Sequence, residues 1–186
     1  FTINGYTPLY IGERINSVQN EYSDNYSVIK DCNMIIGEMK DTKSELAKQL
    51  LGTAWAIRSI CYYNLLIRFC EPYNPISAED KLGLPLIDRF DMEAKPSRSD
   101  LKTTVSFIEE GFKNAIRYDI SDTDYIFTSD VAKAYLTKLY FWTQQWEKAI
   151  QYAEELLSKY PMLEANQYEE VMQNKFTQSS NFILNP

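Results

Sequence analysis

Residues 131–161 read VAKAYLTKLYFWTQQWEKAIQYAEELLSKYP, and this stretch spells two helices with almost nothing between them. Ala132, Tyr135, Leu136, Leu139 and Tyr140 recur at three- and four-residue spacing and make one apolar stripe. Trp146, Ala149, Ile150, Ala153, Leu156 and Leu157 make a second. About three residues, Thr143 to Gln145, separate the stripes, so the two helices must lie antiparallel. Ala149 and Ala153 supply the small side chains that let two backbones approach closely.

The spacing resembles a tetratricopeptide repeat, with Trp146 opening the second helix and Pro161 at the repeat's end. Thr137 stands where that repeat usually has glycine, and Leu156 where alanine is commoner. The same stripes also fit any antiparallel helical hairpin. Working outward, Gly52–Phe69 and Leu101–Tyr118 read as a second, diverged pair of helices with a long insertion between them. The segment from Trp55 to Phe69 is apolar on nearly every side and belongs at the centre of a bundle. Gly52, earlier in the same helix, predicts a close contact with a neighbouring helix, and Arg58 and Arg68 need partners or a route to solvent.

Upstream, Tyr22, Tyr26, Ile29, Cys32, Ile36 and Met39 predict a first amphipathic helix, whereas Phe1 to Gln19 shows no clean periodicity. Thr42-Lys43-Ser44-Glu45 has the pattern of a capping box that starts the second helix. Pro72, Pro75, Pro85 and Pro96 break helical pattern from Glu71 to Ser99, which reads as one long surface loop. A further helix follows Ser99-Asp100, with Leu101, Val105, Ile108, Phe112 and Ala115 on one face. The polar turn Ser121–Asp124 follows it. The fold class is therefore all-α: helical hairpins of tetratricopeptide type forming an α-α superhelix, with long loop insertions.

Composition removes several kinds of function. The chain of 186 residues has 26 acidic against 19 basic side chains, a formal charge of -7, with the basic residues scattered, which argues against nucleic acid as a partner. It has no histidine, so histidine-based nucleophile pairs and metal sites are excluded. Cys32, Cys61 and Cys70 lack metal-ligand spacing and read as small buried hydrophobes, with Cys61 and Cys70 on opposite faces of one helix. Asp88, Asp91 and Glu93 lack the alternation of a calcium loop, so no metal and no cofactor is expected. No stretch reaches the roughly 20 apolar residues of a membrane span.

Several segments resemble, in order, the SusD/RagB-like outer-membrane lipoproteins. Val28–Ile35 is similar to that family's early helix with its asparagine at Asn33. Gly52-Thr53-Ala54-Trp55-Ala56-Ile57-Arg58-Ser59 resembles its Gly-x-Ala-x-x-Leu-Arg-Ala signature, and Cys61–Leu65 its aromatic run. Gly83-Leu84-Pro85-Leu86 resembles its proline-leucine step, Pro96-Ser97-Arg98-Ser99 its Arg-Ser helix start, and Val131–Leu136 its small-residue repeat helix. Thr53 replaces a common glutamate, Ser59 an alanine, and Gly111-Phe112 a usual Asp-Leu.

The resemblance implies a tetratricopeptide-like scaffold lying over a TonB-dependent, SusC-like outer-membrane transporter and capturing an oligosaccharide or peptide nutrient, without catalysis. It implies a cell-surface protein held by a lipidated cysteine that this chain lacks, and makes 1–186 a single helical domain from the amino-terminal part of a longer protein. The apolar run Asn181–Pro186 agrees with an interrupted sequence. Ligand contacts are expected from loop residues that pair an aromatic face with hydrogen-bonding groups: Tyr73 and Asn74 between Pro72 and Pro75, and Tyr125. Two other functions stay open: a tetratricopeptide-type protein–protein adaptor, and a helical enzyme whose paired carboxylates leave no local motif.

Overall fold

Helical periodicity decides most of the architecture. In a computed structural model, described over residues 11–91, 93, 95–120 and 127–164 and for side chains from Asn20 onward, five helices and one short strand pair follow each other. They are α1 (Ile11–Met39), α2 (Glu45–Phe69), β1 (Leu82–Pro85), β2 (Arg98–Asp100), α3 (Leu101–Arg117), α4 (Ser129–Trp142) and α5 (Trp146–Lys159). Neighbours in sequence pack as neighbours in space, α1 on α2, α2 on α3, α3 on α4 and α4 on α5. The turn Ser121–Asp124 and the run Asn181–Pro186 lie outside the described residues.

Two helix starts differ from the sequence reading. Helix α1 begins at Ile11 rather than near Tyr22. Ile11, Ile15, Val18 and Tyr22 do hold helical spacing, but the polar residues among them dilute it. The N-cap of α2 is Ser44, and the Thr42 hydroxyl accepts from the Ser44 N–H at 3.3 Å instead of closing a capping box with Glu45. Asp100 behaves as read, its carboxylate accepting from the Thr103 N–H at 2.7 Å to cap α3.

Helix α2 is the central element, touching α1, α3, α4 and β1. Tyr62, Leu65 and Leu66 on it are fully buried with Ile29, Phe112, Leu136 and Leu139 from three other helices. Gly52 is a close-contact position, though its neighbours are residues just after α3: a Cβ there would sit 2.7 Å from Tyr118 Cβ and 2.6 Å from Ile120 Cδ1. The glycine's cost in helix propensity, about 1 kcal/mol against alanine, is the condition for that approach.

The segment read as one loop contains an antiparallel strand pair, β1 with β2, and it is pinned by polar side chains. Arg98 Nε donates to the Gly83 carbonyl at 2.6 Å, and Ser99 Oγ donates to the Leu84 carbonyl at 2.9 Å. The Leu84 N–H donates to Thr104 Oγ1 at 3.0 Å. The Arg-Ser step is thus the strand that clamps β1, one residue before the helix cap. At the end of β1 and just past it, Tyr26 Oη donates to the Pro85 carbonyl and Asn33 Nδ2 to the Ile87 carbonyl, both at 2.8 Å, while the Ile87 N–H donates to Tyr62 Oη at 2.8 Å. Arg58, only 3% exposed, donates to Asn33 Oδ1 at 2.7 Å and lies 4.1 Å above the Trp55 ring and 5.2 Å from Phe107. Burial lowers its pKa, and the Asn33 oxygen together with two ring faces supplies the compensation that buried positive charge requires. Arg68 reaches solvent and pairs with Glu21 at 2.5 Å.

Cys32 and Cys61 are buried free thiols, as read, and burial pushes them up to about 11 and about 12; Cys70 is half-buried at the end of α2. Gln144, with φ at 62°, reverses the chain between α4 and α5. Ala149 is buried in that hairpin, whereas Gln151 is exposed on the outer face. Ala149→Leu should therefore destabilise by about 1–3 kcal/mol by overpacking, with Gln151→Leu near neutral. Thermal melts of the two variants check this, and equal shifts would refute the hairpin register.

Two half-buried acids tie the helices together. Glu109 on α3 accepts from Lys113 at 2.6 Å and from Tyr140 Oη on α4 at 2.9 Å, and Lys148 on α5 lies 3.8 Å away. Asp130 in the first turn of α4 accepts from Tyr160 Oη at 2.9 Å and pairs with Lys159 at the end of α5. Burial works to raise both carboxyls, but these hydrogen bonds and neighbouring positive charges outweigh it and hold both below their ordinary values. The unfolded chain then binds protons more readily than the folded one. Their stabilisation is complete above the ordinary values of 4.5 and 3.8 and is lost as pH falls through the lower folded values. Melting temperature measured against pH should fall on the acid side, less steeply for Glu109→Gln; identical slopes would refute the Glu109 contribution.

Candidate functional site

The loop after α2 begins where Cys70 leaves helical geometry, and Pro72 and Pro75 then restrict the backbone on either side of Tyr73 and Asn74. Asn74 is exposed and makes its own turn: Oδ1 accepts from the Ile76 N–H at 3.0 Å and its carbonyl from the Ser77 N–H at 3.1 Å. No hydrogen bond occupies its Nδ2 among the described residues. Tyr73 is half-buried rather than free, its ring tilted against Trp142 with centroids 5.9 Å apart. Its carbonyl accepts from Gln144 Nε2 at 3.4 Å. Tyr125 lies outside the described residues.

The structure thus joins Tyr73, the sequence neighbour of Asn74, to the α4–α5 turn. Phe141, 65% exposed, and Trp146, 50% exposed, pack edge to face across that turn at 5.2 Å. Behind them runs a groove of about 570 Å³ lined by Tyr63, Thr137, Phe141, Trp142, Trp146 and Ile150, among others. Its walls are almost wholly apolar, and the Thr137 hydroxyl already donates to the Lys133 carbonyl at 2.9 Å. Two chemistries adjoin here. The groove fits an apolar occupant, while the edge formed by Tyr73, Trp142 and the amides of Asn74 and Gln144 combines ring faces with hydrogen-bonding groups.

Phe141, Trp142 and Gln144 carry no sequence signal that marks them for a site. Trp146 reads from sequence as a core position, because periodicity marks an apolar stripe without saying which part of it is covered. Tyr135 and Tyr140 are core residues as expected: Tyr135 stacks on Phe112, and buried Tyr140 stacks on Tyr152. Among the acids of the loop, Asp91 is used locally, its Oδ1 accepting from the Glu93 N–H at 2.9 Å. Among the described residues no three His, Cys, Asp or Glu side chains gather where a metal ion could sit, and no helix is long and apolar enough to cross a membrane.

A family model of SusD-like proteins, described as starch-binding and associating with outer membrane, matches residues 6–141. Solved structures share the fold. A SusD superfamily protein from Bacteroides thetaiotaomicron aligns with a TM-score of 0.71 at 23% identity, over 81% of this chain and 35% of its own. A SusD-like carbohydrate-binding protein from Bacteroides vulgatus gives 0.68 at 20% identity, over 80% and 33%. A laminarin-binding SusD-like protein gives 0.67 at 21% identity, over 88% and 36%. The chain therefore spans about a third of the length of these structures. No curated protein matches it.

Proposed function

Because the chain belongs to the SusD-like family, we propose that it is the amino-terminal helical part of a cell-surface nutrient-binding lipoprotein that captures glycan at the Tyr73–Asn74 edge and serves a TonB-dependent transporter. The observation that supports this most directly is the position of Tyr73. The ring is braced on Trp142 and the backbone is held between two prolines and by Gln144, so little additional freedom is lost when a sugar ring stacks there. Asn74 Nδ2 and the exposed Gln144 side chain are placed to bond sugar hydroxyls. Tyr125 belongs to the same proposed set on its residue type and loop position. The role is one of binding, with no catalytic residue assigned, and it leaves peptide as the other possible nutrient.

The test is calorimetry of the full-length protein against starch and laminarin oligosaccharides and a panel of peptides. Tyr73→Ala should weaken glycan binding by about 1–2 kcal/mol. It should also lower the melting temperature slightly, because the ring no longer packs on Trp142. Unchanged glycan affinity would remove Tyr73 from the site. Binding to peptides alone would make peptide the nutrient and remove glycan from the proposal.

A further inference from the structure

Helix α5 leaves part of its apolar surface uncovered: Trp146, Ile150 and Leu157 are about half exposed, while Ala149 and Leu156 beside them are buried. Trp146 and Ile150 line the groove of about 570 Å³ behind the glycan edge. Trp142 belongs to both places, since its ring packs on Tyr73 and also forms a wall of the groove. Edge and groove are therefore continuous through one side chain. A volume of this order encloses a small organic group. The rings of Phe141, Trp142 and Trp146 offer faces and edges to another flat ring, and Ala149 and Ala153 keep the α5 side of the slot low. Lys138 is the one charged side chain on the lining, with its Nζ 5.1 Å from the centre of the Tyr135 ring. It stands four residues before Trp142 on the same face of α4, about 6 Å back along the axis from the edge.

We infer that the glycan taken at the Tyr73–Asn74 edge carries an aromatic acyl ester of the hydroxycinnamoyl class, and that this group lies in the groove with its phenolic oxygen toward Lys138. The inference rests on the glycan reading of the edge and names the kind of glycan. A bare sugar fits these walls poorly, because they offer few hydrogen-bonding groups to its hydroxyls, and the Thr137 hydroxyl is already used by the Lys133 carbonyl. An acetyl ester would leave most of the groove unfilled, and an aliphatic chain would bring no polar atom to Lys138. A hydroxycinnamoyl group is flat and apolar along most of its length and polar at its two ends, the ester at the sugar and the phenol at the far end. The protein presents its groups in the same order: the amides of Asn74 and Gln144 at the edge, then the rings, then an ammonium one turn farther along α4.

Calorimetry of the full-length protein tests this with maltotriose and laminaritriose, each plain and as the mono-feruloyl ester, and with a feruloylated arabinoxylan oligosaccharide and its de-esterified form. For the sugar that the edge accepts, the ester should bind at least about tenfold tighter than the plain form and should quench tryptophan fluorescence. Ala153→Phe, which fills the groove, and Trp146→Ala, which removes a wall, should each abolish that gain and leave plain-sugar affinity unchanged. Lys138→Met should reduce the gain for the feruloyl ester and leave it intact for the cinnamoyl ester, which lacks the phenol. Equal affinity for plain and esterified sugar would overturn the inference, as when another part of the protein fills the groove, and would leave the glycan edge standing. A gain that survives both groove variants would place the ester elsewhere and also overturn it. So would methyl ferulate binding as tightly as the esterified sugar, which would separate the groove from the glycan. If no sugar binds in either form, the glycan edge and this inference fall together.

Discussion

Gly83→Ala is expected to destabilise the protein by about 3 kcal/mol or more, the upper range for forcing an added carbon into a filled site. The added Cβ would meet Thr104 Oγ1 at 2.0 Å, the Asp100 carbonyl oxygen at 2.4 Å and the Asp100 carbonyl carbon at 2.9 Å. A hydroxyl can rotate away, but the backbone that starts α3 cannot move without losing the Asp100 cap. Urea unfolding should show a lower midpoint for Gly83→Ala and a small effect for Leu82→Ala, whose side chain is 61% exposed. Adding Thr104→Ala should not restore stability, since the Asp100 carbonyl remains in place. A Gly83→Ala variant as stable as the parent would refute this packing of β1 on α3.

Arg58→Met should cost about 2–4 kcal/mol, because it leaves a buried amide oxygen without a donor and takes the positive charge away from two ring faces. The methionine fills part of the space between Trp55 and Phe107, so the loss reports the polar interaction more than a cavity. Asn33→Ala should also destabilise, because it takes one of two donors from the Ile87 carbonyl and the Asn33 oxygen from the guanidinium. The double variant should be less unstable than the two single losses added, by about 1–2 kcal/mol of coupling. Strict additivity in a denaturation cycle would mean that Arg58 and Asn33 act separately and would sink the idea of one buried network.

These two residues also show how far the sequence could be read. Asn33 and Arg58 each stand in a segment that resembles the family, and Arg58 in an apolar helix plainly needed a partner. That the partner is Asn33, 25 residues away on another helix, is a tertiary fact with no local spacing to announce it. The helical hairpins were legible because a 3.6-residue period repeats over many turns. The β1–β2 pair was not, because strands of four and three residues contain no repeat and Pro85 argues against a strand. At the candidate site the loop position of Tyr73 was legible, while its support by Trp142 and Gln144 depends on how the α4–α5 turn folds back against the loop. The apolar face of α5 was legible, but its division into covered and uncovered stripes was not.

A two-stranded ribbon is ordinarily an invitation to association, since each outer edge presents backbone groups on which a strand from another molecule can grow. Here much of β1 is already spoken for. Arg98 takes the carbonyl oxygens of Gly83 and Leu82, Ser99 takes that of Leu84, Thr104 receives the Leu84 N–H, and Pro85 has no N–H to offer. The side chains that seat the strands on α3 thus also blunt the ribbon as a template. A third strand would have to displace a guanidinium and two hydroxyls to join it.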